Sequence, residues 1–285
     1  MASGQVYFRT LATPTHSIFR LTGADGGPLR GDVRTAAPAR PAIVLCHGFQ
    51  GFKDWGFFPP LAERLARAGY TAVSFNYSGS GIGEDGESFS EPERFGHNTY
   101  SRMHEDVRIV LNELRSGAMR LVPPAIGLLG HSLGGGIALL QTAADPGVRA
   151  LVTWAGVSRF GRMLAPLADE ARRTGRATVA NKRTGTALPL YRDIFDDLEQ
   201  HGDELDALAA ARQVKVPWLI VHGAADESIP VEAAEELKAA APAAEQLIIP
   251  GGSHTFSVGH PWRGPTRSFD LAAEATLTFL ARHLA

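Results

Sequence analysis

The stretch Gly130-His131-Ser132-Leu133-Gly134 constrains this chain more than any other. An apolar run, Ala125 to Leu129, precedes it, and Ile137 to Ala144 after it consists of good helix formers, so the segment reads as strand, tight turn, helix. A serine at the apex of such a turn takes a strained backbone, and the positions two before and two after it must be nearly free of side chain, which Gly130 and Gly134 satisfy. The Ser132 hydroxyl is then held above the sheet edge. The amide of Leu133, at the start of the following helix, is free to donate to an anion forming on a substrate. A glycine-rich turn that only packs strand on helix has the same five residues, so the nucleophile reading requires an acid and a histidine downstream.

Strands and helices alternate over most of the chain. Short β-rich runs, Val6 to Leu11, His16 to Thr22 and Leu29 to Arg34, come first, and Asp25-Gly26-Gly27-Pro28 between the last two predicts an antiparallel turn. Ala42 to Cys46 is apolar without alternation, as expected of a strand covered on both faces. Helices are expected over Leu61–Ala68, Thr99–Arg115, Val231–Ala240 and Ser268–His283, with strands over Thr71–Asn76, Val148–Trp154, Pro217–Val221 and Glu245–Ile249. The pattern predicts an α/β fold with a doubly wound, mostly parallel sheet, antiparallel at its N-terminal edge. Reactive residues in such sheets gather at the carboxyl ends of the strands.

Three of those ends carry suitable groups. His47-Gly48-Phe49-Gln50-Gly51 follows the first apolar strand, and its glycine lets the Phe49 amide turn toward Ser132 as a second oxyanion donor. His222-Gly223-Ala224-Ala225-Asp226-Glu227 places an acid a few residues past another strand, with Asp226 and its neighbour Glu227 both available. Pro250-Gly251-Gly252-Ser253-His254 presents a histidine on a glycine-rich loop, and His260 lies close by. Ten histidines are present in all. His47 is placed to brace its own loop, and His131 to support the turn beside the serine. His97 and His104 read as polar surface, and no Cys/His/Asp cluster has metal-ligand spacing, so no metal or cofactor is expected. Gly79-Ser80-Gly81-Ile82-Gly83 lacks the spacing and lysine of a phosphate loop and reads as a turn at the site's rim.

Taken in order, His-Gly-Phe, Gly-His-Ser-Leu-Gly-Gly, His-Gly-x-x-Asp and Gly-x-x-His resemble the α/β-hydrolase superfamily from about Gly23 to the end. More narrowly, the chain is similar to small bacterial esterases of the cinnamoyl and feruloyl esterase type, and more loosely to dienelactone hydrolases and serine aminopeptidases. The resemblance implies an α/β-hydrolase fold, Ser132 as nucleophile, Asp226 as orienting acid and His254 as base. It implies a serine hydrolase cleaving carboxylic esters through an acyl-enzyme. An aminopeptidase-like hydrolase with the same triad, or a ligand-binding protein on the same scaffold, are the other readings. Where many members carry Asp-x-Arg-Gly-x-Gly, this chain has Asn76-Tyr77-Ser78-Gly79-Ser80-Gly81.

The whole chain, 1–285, is expected to form a single domain, with 158–212 inserted as a lid because that segment breaks the strand and helix alternation. Arg159 to Arg183 holds seven basic residues against two acids, and Asp193 to Asp206 seven acids and no base, so the two halves can pair with each other. Trp154, Phe160, Leu188 and Tyr191 are the candidates for a pocket wall over Ser132. A net charge of -2 gives no general attraction to nucleic acid or to an anionic membrane. One cysteine, Cys46, excludes an intrachain disulfide. With no secretory pattern at the start and no apolar run of membrane-spanning length, a cytoplasmic protein acting on a small-molecule ester is expected. Nothing in the sequence sets the oligomeric state.

Overall fold

The computed structural model describes residues 13–37, 39–181 and 185–284. The β-rich run Val6 to Leu11 lies outside them. Ten strands and nine helices follow one another in the described residues. The first part of the chain runs β1 (Thr15–Thr22), β2 (Pro28–Thr35), β3 (Ala42–Cys46), α1 (Phe58–Arg67), β4 (Thr71–Asn76), α2 (Pro92–Gly96), α3 (Tyr100–Ser116), β5 (Ile126–His131), α4 (Leu133–Ala144) and β6 (Val148–Trp154). It continues with α5 (Ala165–Thr174), β7 (Arg176–Ala180), β8 (Ala187–Tyr191), α6 (Asp193–Gln200), α7 (Ala207–Gln213), β9 (Trp218–Gly223), α8 (Glu232–Ala240), β10 (Glu245–Ile249) and α9 (Arg267–His283).

Eight strands form one sheet in the order β1-β2-β4-β3-β5-β6-β9-β10. The β1/β2 and β2/β4 pairs are antiparallel and every other pair is parallel. This is the α/β-hydrolase architecture that the resemblance implied, with its antiparallel strands at the N-terminal edge. Two separate apolar clusters lie on the two faces. Val44, Leu128 and Trp218 face Val107, Leu111, Ile137 and Leu237 on one side. Ile43, Leu129 and Val221 face Leu61, Phe269 and Phe279 on the other. Strands buried on both faces explain why β3, β5 and β9 read as unbroken apolar runs.

Local signals set the helix ends. Thr99 caps α3 by accepting from the Arg102 amide, and Gly117 closes it in a left-handed conformation at φ 78°. Val107, Val110, Leu111 and Leu114 of α3 are fully buried, each such burial contributing about 1.5–3 kcal/mol as an upper value. The helix after Ser132 begins at Leu133, as its expected free amide requires, and takes in Gly134, Gly135 and Gly136 despite their poor helix propensity. Close packing overrides it: a Cβ on Gly134 would lie 2.3 Å from the Cys46 carbonyl oxygen, so only glycine lets α4 start against β3. One difference is inside the expected insert. α5, the two-stranded β7-β8 ribbon and α6 depart from the alternation, but α7 packs on α4 and α8 as an ordinary layer helix. No helix among the described residues is long and apolar enough to cross a membrane.

Candidate active site

Ser132 sits between the end of β5 and the start of α4 with φ 57° and ψ -124°, a left-handed backbone that a serine adopts only under constraint. The constraint is visible on every side. Its amide donates to the Trp154 carbonyl at 2.9 Å, and its carbonyl accepts from Gly135 at 2.9 Å and Val157 at 3.3 Å. A Cβ on Gly130 would meet the Gly134 carbonyl oxygen at 2.1 Å, so the strand and helix that form the turn could not close around any larger residue there. The Ser132 side chain makes no capping hydrogen bond to α4, which leaves its hydroxyl free for other work.

The loop after β3 passes directly over this serine. A Cβ on Gly48 would stand 2.9 Å from Ser132 Cβ and 3.3 Å from its Oγ, so Phe49, the next residue, is carried to the edge of the same site. His47 holds that loop in place: its Nδ1 is 2.9 Å from the Gly48 carbonyl and its Nε2 accepts from the Tyr77 amide at 3.4 Å. Burial drives its pKa down to about 4, so the ring stays neutral. Leu133 is the first residue of α4, and its N–H has no carbonyl one turn earlier in the helix to bind.

Asp226 and His254 come from the ends of β9 and β10, adjacent parallel strands. His254 Nδ1 lies 2.8 Å from Asp226 Oδ2. The other carboxylate oxygen, Oδ1, accepts from the amides of Ser228 at 2.8 Å and Ile229 at 2.9 Å. His222 adds a fourth group: its Nε2 is 3.3 Å from Oδ2 and 2.9 Å from the Ile229 carbonyl. Burial alone would raise the Asp226 carboxyl, but the hydrogen bonds from His222 and His254 outweigh it and hold the pKa well below the usual carboxylate range. Asp226 therefore stays ionised, with Oδ1 held by two amides and Oδ2 by His254. Glu227 beside it is exposed and shares none of these contacts.

His131 meets His254 through the backbone. Its Nε2 is 2.9 Å from the His254 carbonyl, and burial, followed by the nearby His254 ring, pushes its pKa down to about 3. His260, the other histidine near His254, accepts from the Gly56 amide at 3.1 Å and packs on Phe52 and Trp55, away from the serine. His97 stacks on Tyr191 at 4.0 Å and lies 3.2 Å from Asp193. Among the described residues no group of three or more His, Cys, Asp or Glu side chains could hold a metal ion.

Two cavities meet at Ser132. One, of about 230 Å³, is walled by Tyr100, Val157, Phe160, Leu164, Ile229 and Ala233. The other, of about 380 Å³, contains His254 and is walled by Trp55, Phe58, His131, Leu167 and Val179. Phe49, Ser132, Met163, Leu164 and Ser228 belong to both. Of the four aromatic and aliphatic candidates for a pocket wall, Phe160 lines the smaller cavity, whereas Trp154, Leu188 and Tyr191 line neither. Trp154 instead sits in the core behind β6, donating its indole N–H to Thr276 at 3.0 Å. Tyr191 lies over α2, its hydroxyl donating to Glu93 at 2.6 Å. Leu188 is the residue before Pro189 on the β7-β8 ribbon and is 2% exposed.

Sequence reasoning missed His222 as a partner of Asp226, although its position directly after a buried strand and four residues before the acid was the available signal. It also missed Asp106, a buried acid on the apolar face of α3. That carboxylate accepts from the amides of Ala24 and Ser78, at 2.8 and 2.7 Å, and from the Ser78 hydroxyl. It pins the Asn76 to Gly81 turn, and burial raises its pKa to about 6.

With this geometry in view, comparison with known proteins is consistent. A sequence profile described as "Alpha/beta hydrolase family" matches residues 43–264. The chain belongs to the alpha/beta hydrolase family. It is 29% identical over 142 residues to an uncharacterised 31.7 kDa Escherichia coli protein from the traX-finO intergenic region, a match that spans half of this chain and 46% of that one. It is 27% identical over 272 residues to a pimeloyl-[acyl-carrier protein] methyl ester esterase of Xanthomonas campestris pv. campestris, covering 85% of this chain and 95% of the relative. Its fold is similar to Est1E of Butyrivibrio proteoclasticus, solved with ferulic acid bound, with a TM-score of 0.71 and 19% identity over 93% of this chain and 99% of that one.

Proposed function

We propose that this chain is a serine hydrolase of carboxylic esters that works through an acyl-enzyme, with Ser132 as nucleophile, His254 as base and Asp226 as orienting acid. The observation that carries the reading is the 2.8 Å contact between His254 Nδ1 and a carboxylate held by four donors, in a cavity shared with a serine at a left-handed φ. A hydroxyl is a weak nucleophile near neutral pH, and a neutral imidazole with its tautomer fixed by a carboxylate can take its proton. Ser132 Oγ bonds to the ester carbon while the proton passes to His254 Nε2. The carbon–oxygen bond to the alcohol then breaks as His254 returns that proton to the departing oxygen. Water, deprotonated by the same imidazole, releases the acid and restores the hydroxyl. The amides of Phe49 and Leu133 stabilise the oxyanion, each worth about a hundred- to thousand-fold in comparable sites. The printed name of the Xanthomonas relative supports ester chemistry. Within 158–212, the part before α7 acts as the lid of a single domain, since Phe160, Met163, Leu164 and Leu167 from it line the cavities at Ser132.

Treatment with a fluorophosphonate probe, followed by peptide mass spectrometry, is expected to place the label on Ser132 in wild type and on no residue in Ser132→Ala. A folded, unlabelled wild-type protein points to a ligand-binding role and overturns the reading. Turnover of aminoacyl amides but of no carboxylic ester would keep the triad and remove the esterase assignment.

A further inference from the structure

The two cavities that meet at Ser132 differ in the one respect that fixes which part of an ester each must take. His254 lines the larger and not the smaller. The leaving oxygen must come within hydrogen-bond reach of the imidazole that protonates it. We infer that the larger cavity holds the alcohol portion of the substrate and the smaller one the acyl portion, and that the substrate is an ester of a medium-length apolar acid with a bulky alcohol. This rests on the esterase reading above and extends it to substrate class.

The walls agree with the division. The smaller cavity lies against Leu133, the start of α4, and its inner surface is Tyr100, Val157, Phe160, Leu164, Ile229 and Ala233. Its charged side chains are Arg159 and Arg162, both exposed at the rim, and Arg159 is 3.5 Å from Glu236. At about 230 Å³ the smaller cavity has room for an acyl chain of several carbons. No acidic side chain lines either cavity among the described residues. The larger cavity is mixed, with the rings of Trp55 and Phe58 beside Gln50, Asn181 and Thr255. Gln50 reaches across it to donate to the Ala180 carbonyl at 3.2 Å, tying the loop after β3 to the lid ribbon. At about 380 Å³ the larger cavity exceeds the smaller, so a methyl leaving group would leave most of it unfilled. An aromatic or branched alcohol would fill it against the two rings.

The division also accounts for the second half of the reaction. After the carbon–oxygen bond breaks, the alcohol departs from the larger cavity while the acyl group stays bonded to Ser132 Oγ in the smaller one. The emptied space is then the one that His254 faces, so water enters where the base can take its proton. The carbon–Oγ bond breaks, the proton returns to Oγ, and the acid leaves.

The test uses the full chain and three variants. Ala233→Leu narrows the smaller cavity, Phe160→Ala enlarges it, and Leu167→Trp fills the larger one. Rates of octanoate release from methyl and 2-naphthylmethyl octanoate, both esters of alkyl alcohols, read the alcohol side. The ratio of p-nitrophenyl octanoate to p-nitrophenyl acetate in kcat/KM reads the acyl side. Ala233→Leu is expected to lower the octanoate-to-acetate ratio about tenfold, and Phe160→Ala to move the best chain length upward. Leu167→Trp is expected to lower the naphthylmethyl-to-methyl ratio by a similar factor, about tenfold, with the acyl ratio little moved. Fluorophosphonate labelling of Ser132 reports whether each variant keeps its site. An unlabelled wild type removes the esterase reading itself. Labelled variants whose ratios do not move, or move in the crossed pattern, overturn only the cavity assignment, and wild-type preference for methyl over naphthylmethyl esters overturns the alcohol class.

Discussion

The strand-end layer and the segment 158–212 bear on the same site but are built on opposite terms. In the strand-end layer the polar groups around Ser132 are buried or half-buried, and those of Asp226, His47 and His131 are answered by protein partners. Asp226 has four donors, His47 and His131 are kept neutral by burial, and glycines at 48, 130 and 134 allow backbones to touch. Phe160, Met163, Leu164 and Leu167 of the segment 158–212 line the cavities at Ser132, yet the segment also carries exposed ion pairs such as Arg172 with Glu199 and Arg192 with Asp196. A buried, saturated network has one low-energy arrangement because any unanswered group costs its full desolvation. Exposed pairs have many near-equal arrangements. Reactivity is therefore expected to depend on the first region and selectivity on the second.

The largest effect that sharpens this contrast is Asp226→Asn. An amide cannot hold the same tautomer of His254, and kcat is expected to fall about ten-thousand-fold with KM little changed. Steady-state kinetics on a p-nitrophenyl ester check it, and a loss below tenfold would show that the carboxylate network is not the source of reactivity.

His222→Asn comes next. Removing one donor to a charged oxygen costs about 1.5–3 kcal/mol, so kcat is expected to drop roughly ten- to a hundred-fold, again with KM near wild type. Its structural role alone would lower the melting temperature without this split between kcat and KM, and measuring both on one preparation separates the two.

The third test concerns pH. Asp106 has a folded pKa of about 6 against 3.8 for the ordinary carboxyl, so the folded chain binds its proton more tightly than the unfolded chain. Stability from this group is present below about pH 4 and declines as pH rises to about 6, by on the order of 2–3 kcal/mol. Asp106→Asn should flatten that slope in urea unfolding midpoints taken between pH 4 and pH 7. An unchanged slope would mean that the ionised carboxylate is fully compensated by Ala24 and Ser78.

The smallest effect is expected from Arg172→Ala in the segment 158–212. Losing an exposed pair with Glu199 should change unfolding free energy by less than about 1 kcal/mol and leave Ser132 labelling at the wild-type rate. A marked slowing of labelling would break the division between the two regions.

Much of the molecule was legible because its signals are local. Unbroken apolar runs mark strands covered on both faces, Thr99 and Gly117 mark the two ends of one helix, and Gly130 and Gly134 flank a turn that little else can make. These determined the order of elements, the mostly parallel sheet and the strand ends where Ser132, Asp226 and His254 stand. Steric and hydrogen-bonding requirements act within a few residues there, so residue type and spacing record them directly. The tertiary structure alone decided what depends on distant parts of the chain meeting. It held Gly134, Gly135 and Gly136 in the first turn of α4, where helix propensity disfavours them, because α4 packs on the end of β3. It sent Trp154 into the core and Tyr191 over α2, and it brought His222 onto the carboxylate of Asp226. It also divided the space above Ser132 in two. The size and sides of a cavity belong to no single segment, because they are what remains between elements once each has buried its own apolar face.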